Sequence, residues 1–212
     1  MTLALSLLTF NKPRLFCIAL VFVVLSACGH AVPKLNALDR DAVVLAFGDS
    51  LTFGTGAAMQ DSYPAVLEKL INRKVVTAAV PGEISKDGLV RLPEVLDEVQ
   101  PKLLILCHGG NDFLRKLDDG QAISNIRAMI QLARDRNVAV VMIATPKPGL
   151  TVTPPDFYRD LAKEFDLPLE DEILKEVLSD RALKSDFVHP NAQGYKRMAE
   201  AVAMLLQKAG AI

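Results

Sequence analysis

From Ala42 onward, short continuous apolar runs alternate with longer stretches in which apolar residues recur every third or fourth position. The runs at 42–47, 75–80, 103–107 and 138–143 have strand length and no polar alternation, as expected of strands buried on both faces. Residues 64–70 read as a helix; Leu89, Leu92, Leu96 and Val99 mark one face of a second, and Ile123, Ile126, Ile130 and Ala133 one face of a third. Thr153 as N-cap with Pro154 at the first helical position predicts a further helix opening there, and Asn191 caps a last one running to about Gln207. Strands alternating with helices predict an α/β fold, a three-layer α/β/α sandwich around a central parallel sheet.

The first forty residues do not share this pattern. Lys12 and Arg14 precede an apolar stretch at 15–24, and small residues follow at Ser26 and Ala27, the three sections of an export signal. The apolar stretch is too short to span a bilayer comfortably. Leu25-Ser26-Ala27-Cys28 resembles a bacterial lipoprotein box, in which Cys28 becomes the lipidated first residue; the plainer alternative is a signal peptide with an incidental cysteine. Residues 29–41 have few apolar positions at regular spacing and include Pro33. The expected organisation is a signal peptide at 1–27, a tether at 28–41 and one folded domain at 42–212.

Composition narrows the function. A chain of 212 residues, half of them apolar, suits a single domain with a sizeable core. A net charge of −1 with no basic stripe speaks against nucleic acid. With no tryptophan and 6% aromatic residues, a stacking platform for single strands is also excluded. Of three cysteines, Cys17 falls in the signal and Cys28 at the lipid box, so Cys107 has no partner for a disulfide. No Cys/His spacing fits a metal such as zinc, and no phosphate-cradling glycine loop with its lysine is present, so neither metal nor cofactor is expected.

Polar clusters follow the apolar runs: Gly48-Asp49-Ser50 after the first, Pro81-Gly82 after the second, Gly109-Gly110-Asn111-Asp112 after the third. In an open parallel sheet these positions lie beyond the carboxyl ends of the strands, where ligand chemistry gathers. Together with Asp186-Phe187-Val188-His189-Pro190, they stand in the order and at roughly the intervals of the GDSL/SGNH hydrolases, which the chain resembles over residues 42–206. Residues 82–93 look most like the periplasmic acyl-thioesterase/lysophospholipase and arylesterase branch. The resemblance implies the flavodoxin-like SGNH hydrolase fold and a carboxylic ester hydrolase.

A serine hydroxyl needs a base to become a nucleophile at neutral pH. Taken alone, Ser50 reads equally well as a helix cap. Among the histidines, His30 lies in the expected tether and His108 at a strand end, where the family usually carries another residue. Only His189 follows a carboxylate by three residues in a turn, so Asp186 can take its Nδ1–H and leave Nε2 for the serine. The expected triad is Ser50, His189 and Asp186. The resemblance implies an oxyanion hole from the backbone N–H groups of Ser50 and Gly82 and the side-chain amide of Asn111. Pro81 departs from the small polar residue common there in this branch. Asp49 and Asp112 would oppose an oxyanion's charge and read as hydrogen-bond acceptors that brace the loops.

With no insertion long enough for a large lid, an open groove is expected, walled by Phe113, Leu114 and Leu150 of the 146–152 loop. The substrates that fit are short- to medium-chain acyl esters or thioesters, with lysophospholipid suited to an enzyme held at a membrane through Cys28. The expected location is outside the cytoplasm, as a lipid-anchored protein of the periplasm or outer membrane of a Gram-negative cell. Two alternatives are a carbohydrate O-deacetylase and a non-catalytic envelope lipoprotein binding acyl chains or glycans.

Overall fold

The structure is a computed structural model and describes residues 31–212 apart from 148, 150 and 151. Five strands form one parallel sheet: β1 (Val44–Gly48), β2 (Val75–Ala79), β3 (Leu103–Cys107), β4 (Ala139–Ile143) and β5 (Leu169–Glu170), in the order β2-β1-β3-β4-β5. The chain therefore steps outward from β1 to β2, then crosses back to place β3 on the other side of β1. That reversal is the topological switch point at which open α/β sheets build their sites.

Period-two geometry divides the strand residues between two cores. Val44 and Ala46 of β1 and Leu103 and Ile105 of β3 face one side, where they meet α2 (Tyr63–Ile71), α7 (Ile173–Ser179) and α8 (Ala192–Ala209). Leu45, Phe47, Leu104 and Leu106 face the other side, against α3 (Ser85–Val99), α5 (Asp119–Asp135) and α6 (Phe157–Phe165). Every residue of β1 and β3 is buried, which accounts for their unbroken apolar runs. Two short helices, α1 (Ser50–Phe53) and α4 (Gly110–Leu114), start directly at the ends of β1 and β3. The expected three-layer sandwich is the observed one.

Two local expectations differ. The helix predicted from Thr153 and Pro154 starts only at Phe157, with Asp156 at its N-cap. Thr153 instead forms an isolated antiparallel bridge with Lys147, a backbone pairing that holds it extended. Residues 32–39, expected as tether, lie on the domain. Leu35 N–H donates to Ala209 O and Leu38 N–H to Ala211 O, both at 2.9 Å, and Val32, Leu35 and Leu38 pack half-buried against the α8 core. Arg73 pins the same segment by donating to the carbonyls of Leu38 and Asp39. Three apolar positions spaced three apart are too short a run to mark an element, so their docking depends on the end of α8 being there to receive them.

Full burial of a valine or leucine stabilises by about 1.5–3 kcal/mol. A chain beginning at residue 41 should therefore be about 2–3 kcal/mol less stable than one beginning at residue 31, read as a lower urea midpoint with unchanged circular dichroism. Equal midpoints would make residues 31–40 a tether after all.

Candidate active site

The first loop at the carboxyl edge is built by capping. Asp49 leaves β1 and accepts the Leu51 N–H at 3.0 Å, which fixes the turn into α1. Ser50 is the first residue of that helix, so its own N–H has no intrahelical acceptor. Its hydroxyl faces a cleft of about 530 Å³ that is also lined by Gly82, Asn111 and His189.

His189 arrives from the opposite end of the chain. Its loop is pinched by an antiparallel bridge between Lys184 and Pro190 and by Ser185 N–H donating to His189 O at 2.9 Å. Asn191 then caps α8 by accepting from Gly194 N–H, as expected. Tyr195 of α8 donates to Thr55 O at 2.8 Å, which ties this element to the loop after α1. The result is His189 Nε2 at 3.0 Å from Ser50 Oγ and Nδ1 at 2.8 Å from Asp186 Oδ2. With Nδ1–H donating to the carboxylate, the Nε2 lone pair is left for the serine hydroxyl.

Asp186 Oδ1 accepts the backbone N–H groups of Val188 and His189 at 2.8 and 2.9 Å. Partial burial works against its charge, but the hydrogen bonds from the His189 ring and these two amides outweigh it and hold the carboxyl below the usual carboxylate range. Its side chain is 51% exposed, so solvent screens its field. It acts on the ring chiefly by orientation.

Gly82 has φ of 80°, a left-handed conformation that favours glycine, and its N–H has no acceptor among the described residues. Arg115 Nη2 donates to its carbonyl at 2.6 Å. The Asn111 side chain reaches the cleft, but Nδ2 already donates at 3.0 Å to Asp49 Oδ2 and at 3.0 Å to Glu83 O. An oxyanion can gain this amide only by exchange with one of these acceptors.

Asp49 is buried, and burial pushes its pKa up against the lowering effects of His108, His189 and the Leu51 and Asn111 hydrogen bonds. Asp112 accepts the Ser85 N–H and hydroxyl at 2.8 and 2.7 Å, and Asn125 supports that hydroxyl at 2.9 Å. Both acids thus brace loops. Glu83 is also buried. Its desolvation is outweighed by hydrogen bonds from Arg91 and His108, so its pKa falls from 4.5 to about 2.

The apolar walls differ from expectation. Leu114 lines the cleft, but Phe113 points into the core, edge-on to Phe157 with Lys147 Nζ 5.0 Å above its ring. In a helix as short as α4 adjacent residues face different ways, and the apolar layer under α5 takes Phe113. Leu150 and Cys28 lie outside the described residues. Val152, in the 146–152 loop expected as a wall, lines the cleft, as do Phe187 and Leu178, which sequence reasoning did not assign. Phe187 is 93% exposed, and its place next to His189 was the one available signal.

Comparison with known proteins gives the family and the fold. Residues 46–197 match the GDSL-like Lipase/Acylhydrolase family. The chain is 31% identical to the "Thioesterase 1/protease 1/lysophospholipase L1" of Escherichia coli (strain K12), over 77% of this chain and 83% of that protein. It is 31% identical to an "Arylesterase" of Vibrio mimicus, over 89% of this chain and 95% of that one. The solved structure of AlinE4, described as an SGNH-hydrolase family esterase, superposes with a TM-score of 0.61 at 31% identity, covering 82% of this chain and 98% of its own.

The lowered pKa of Glu83 has a thermodynamic consequence. A carboxyl whose folded pKa lies below its unfolded value adds stability that is complete above the unfolded pKa and is lost as pH falls through the folded one. Between 4.5 and about 2 the shift corresponds to about 3 kcal/mol at 1.36 kcal/mol per unit. Glu83→Gln should therefore be less stable than the wild type at pH 7 by about that amount, with the gap closing as pH falls from 4.5 towards 2. Asp49, shifted the other way, is common to both proteins and cancels in the difference. Urea titrations across that range check it; a gap independent of pH would contradict the assignment.

Proposed function

Since this chain belongs to the GDSL-like lipase/acylhydrolase family and is a carboxylic ester hydrolase, we propose that it cleaves short- to medium-chain acyl esters or thioesters through an acyl-enzyme on Ser50. The observation that carries this reading is the unbroken chain of contacts Ser50 Oγ, His189 and Asp186, at 3.0 and 2.8 Å, opening into an apolar-walled cleft.

Ser50 Oγ attacks the acyl carbon while His189 Nε2 takes its proton, and Asp186 stabilises the resulting imidazolium without accepting that proton. The carbonyl oxygen becomes an oxyanion facing the N–H groups of Ser50 and Gly82. Asn111 joins them by releasing Glu83 O, since its other acceptor, the Asp49 carboxylate, is fixed in the β1 turn. Collapse breaks the bond to the leaving alcohol or thiol, which receives the proton from His189. Water, deprotonated by the same ring, then attacks the acyl carbon, and the fatty acid leaves as Ser50 recovers its proton.

The walls support this substrate class. Leu51, Leu114, Val152, Leu178 and Phe187 offer an acyl chain apolar surface, whereas a saccharide would leave them solvated. The relatives named lysophospholipase and arylesterase agree with an acyl substrate of modest size and a variable leaving group. We also place the protein outside the cytoplasm, held to a membrane through a lipidated Cys28.

Ser50→Ala should lower kcat on p-nitrophenyl octanoate by about a thousandfold or more with unchanged circular dichroism, as removal of a triad member does. Asn111→Ala should cost roughly a hundredfold in kcat with little change in KM. Retention of more than a tenth of the activity in Ser50→Ala would remove the serine from the mechanism. Activity on an acetylated xylan, with none on the octanoate, would favour the O-deacetylase instead.

Lipidation is tested separately. More than one acyl chain is needed for stable anchoring, at about 0.8 kcal/mol per buried methylene. Wild-type protein should fractionate with membranes and carry the lipid mass increment, and Cys28→Ala should lose both. Soluble wild-type protein of unmodified mass would reduce residues 25–28 to the end of a plain signal peptide.

A further inference from the structure

His108 has no part in the triad, yet its side chain is fully buried beneath the oxyanion loops. Its Nδ1 accepts the Gly109 N–H at 3.1 Å, which places the ring proton on Nε2, 3.2 Å from Glu83 Oε2. Arg91 grips the same carboxylate with two parallel hydrogen bonds, Nε to Oε1 at 2.8 Å and Nη2 to Oε2 at 2.7 Å. The guanidinium is itself held 4.1 Å over the Phe47 ring. At Gly88 of α3, an added Cβ would lie 2.3 Å from His108 Nε2, so helix and imidazole meet only because that residue is glycine.

The position of this cluster matters more than its strength. Glu83 adjoins Gly82 in the loop after β2, and His108 stands three residues before Asn111 in the loop after β3. These two loops carry the two proposed oxyanion donors that do not belong to Ser50's own turn. They are joined twice: by Asn111 Nδ2 to Glu83 O at 3.0 Å beside the cleft, and by His108 Nε2 to the Glu83 carboxylate beneath it. The first join is the one given up when Asn111 turns to an oxyanion. The second has no contact with substrate and stays.

We infer that Glu83, His108 and Arg91 are positioning residues, a buried brace that keeps the Gly82 and Asn111 donors at working separation while Asn111 exchanges Glu83 O for the oxyanion. The inference rests on the proposed Ser50 mechanism. Its expected signature is confined to the transition state: ground-state binding in the apolar cleft does not depend on the spacing of the two donors.

The test compares wild type with Glu83→Gln, His108→Leu and His108→Gln on p-nitrophenyl octanoate, with active sites counted by a serine-directed fluorophosphonate. Per titrated site, Glu83→Gln and His108→Leu should lose roughly ten- to a hundredfold in kcat at a KM within twofold of wild type. Affinity for an alkylboronic acid, which forms a tetrahedral adduct on the serine, should fall by a similar factor. His108→Gln, whose amide can still donate to Glu83, should stay within about threefold of wild type. Unchanged kcat per site in Glu83→Gln or His108→Leu overturns the brace, as does a loss equal in His108→Gln and His108→Leu, or one appearing only in KM. If one of the two disruptive variants does not fold, the other still reads the same two quantities. Wild type that the fluorophosphonate fails to label would sink the Ser50 mechanism instead, an outcome separate from any result on the brace.

Discussion

The Asp49 carboxylate is the contact on which the rest of the site depends. It lies at the end of a strand buried on both faces, essentially without solvent, and an unsatisfied polar group there costs several kcal/mol. The Leu51 N–H and the Asn111 amide satisfy it, one from its own turn and one from the loop after β3. The hydrogen bond to Asn111 therefore fixes the distance between the serine turn and the asparagine turn. Asp112 repeats the device one residue further on by accepting from Ser85, which draws the start of α3 against α4. Buried acids, each with hydrogen-bond donors, convert three separate loops into one rim.

Negative charge behind the proposed oxyanion hole has a cost that the structure answers in two ways. Asp49, pushed by burial above the usual carboxylate range, is met by the Leu51 N–H and by one hydrogen of the Asn111 amide. Glu83, pushed well below the usual carboxylate range, is matched by the Arg91 guanidinium, with His108 Nε2 beside the same carboxylate. By contrast Asp186 stands half in solvent, where its charge is screened and its two backbone hydrogen bonds do the orienting. The differing environments match the differing roles: rigid support inside, adjustable alignment of an imidazole outside.

Several features were legible in the chain because they depend on neighbours in sequence. Asp186 and His189 share one turn, so their pairing needs only local geometry. The strands of the buried sheet announce themselves by unbroken apolar runs, and Asn191 announces α8 by its capping chemistry. Other features were hidden because their partners are distant. His108 looked like an idle strand-end residue, since nothing near it in sequence reveals Glu83 or the gap left by Gly88. Leu35 and Leu38 looked like tether until the end of α8 gave them a surface. Thr153 and Pro154 carried a good helix-entry signal that backbone pairing with Lys147 overrode.

By itself the sequence determined the layer architecture, the three polar loops and the pairing of Asp186 with His189, because periodicity, capping and turn chemistry act over a few residues at a time. Ser50, far from both in the chain, joined them there only through the resemblance to a family. Which wall each apolar residue joins was decided only by tertiary structure: Phe113 entered the core while Phe187 was left at the cleft. So was the state of the Asn111 amide, whose two hydrogens are committed to acceptors 62 and 28 residues away. Packing faces and shared hydrogen bonds are properties of several elements at once. No local pattern encodes them, and they exist only after the strand order has brought those elements to one edge.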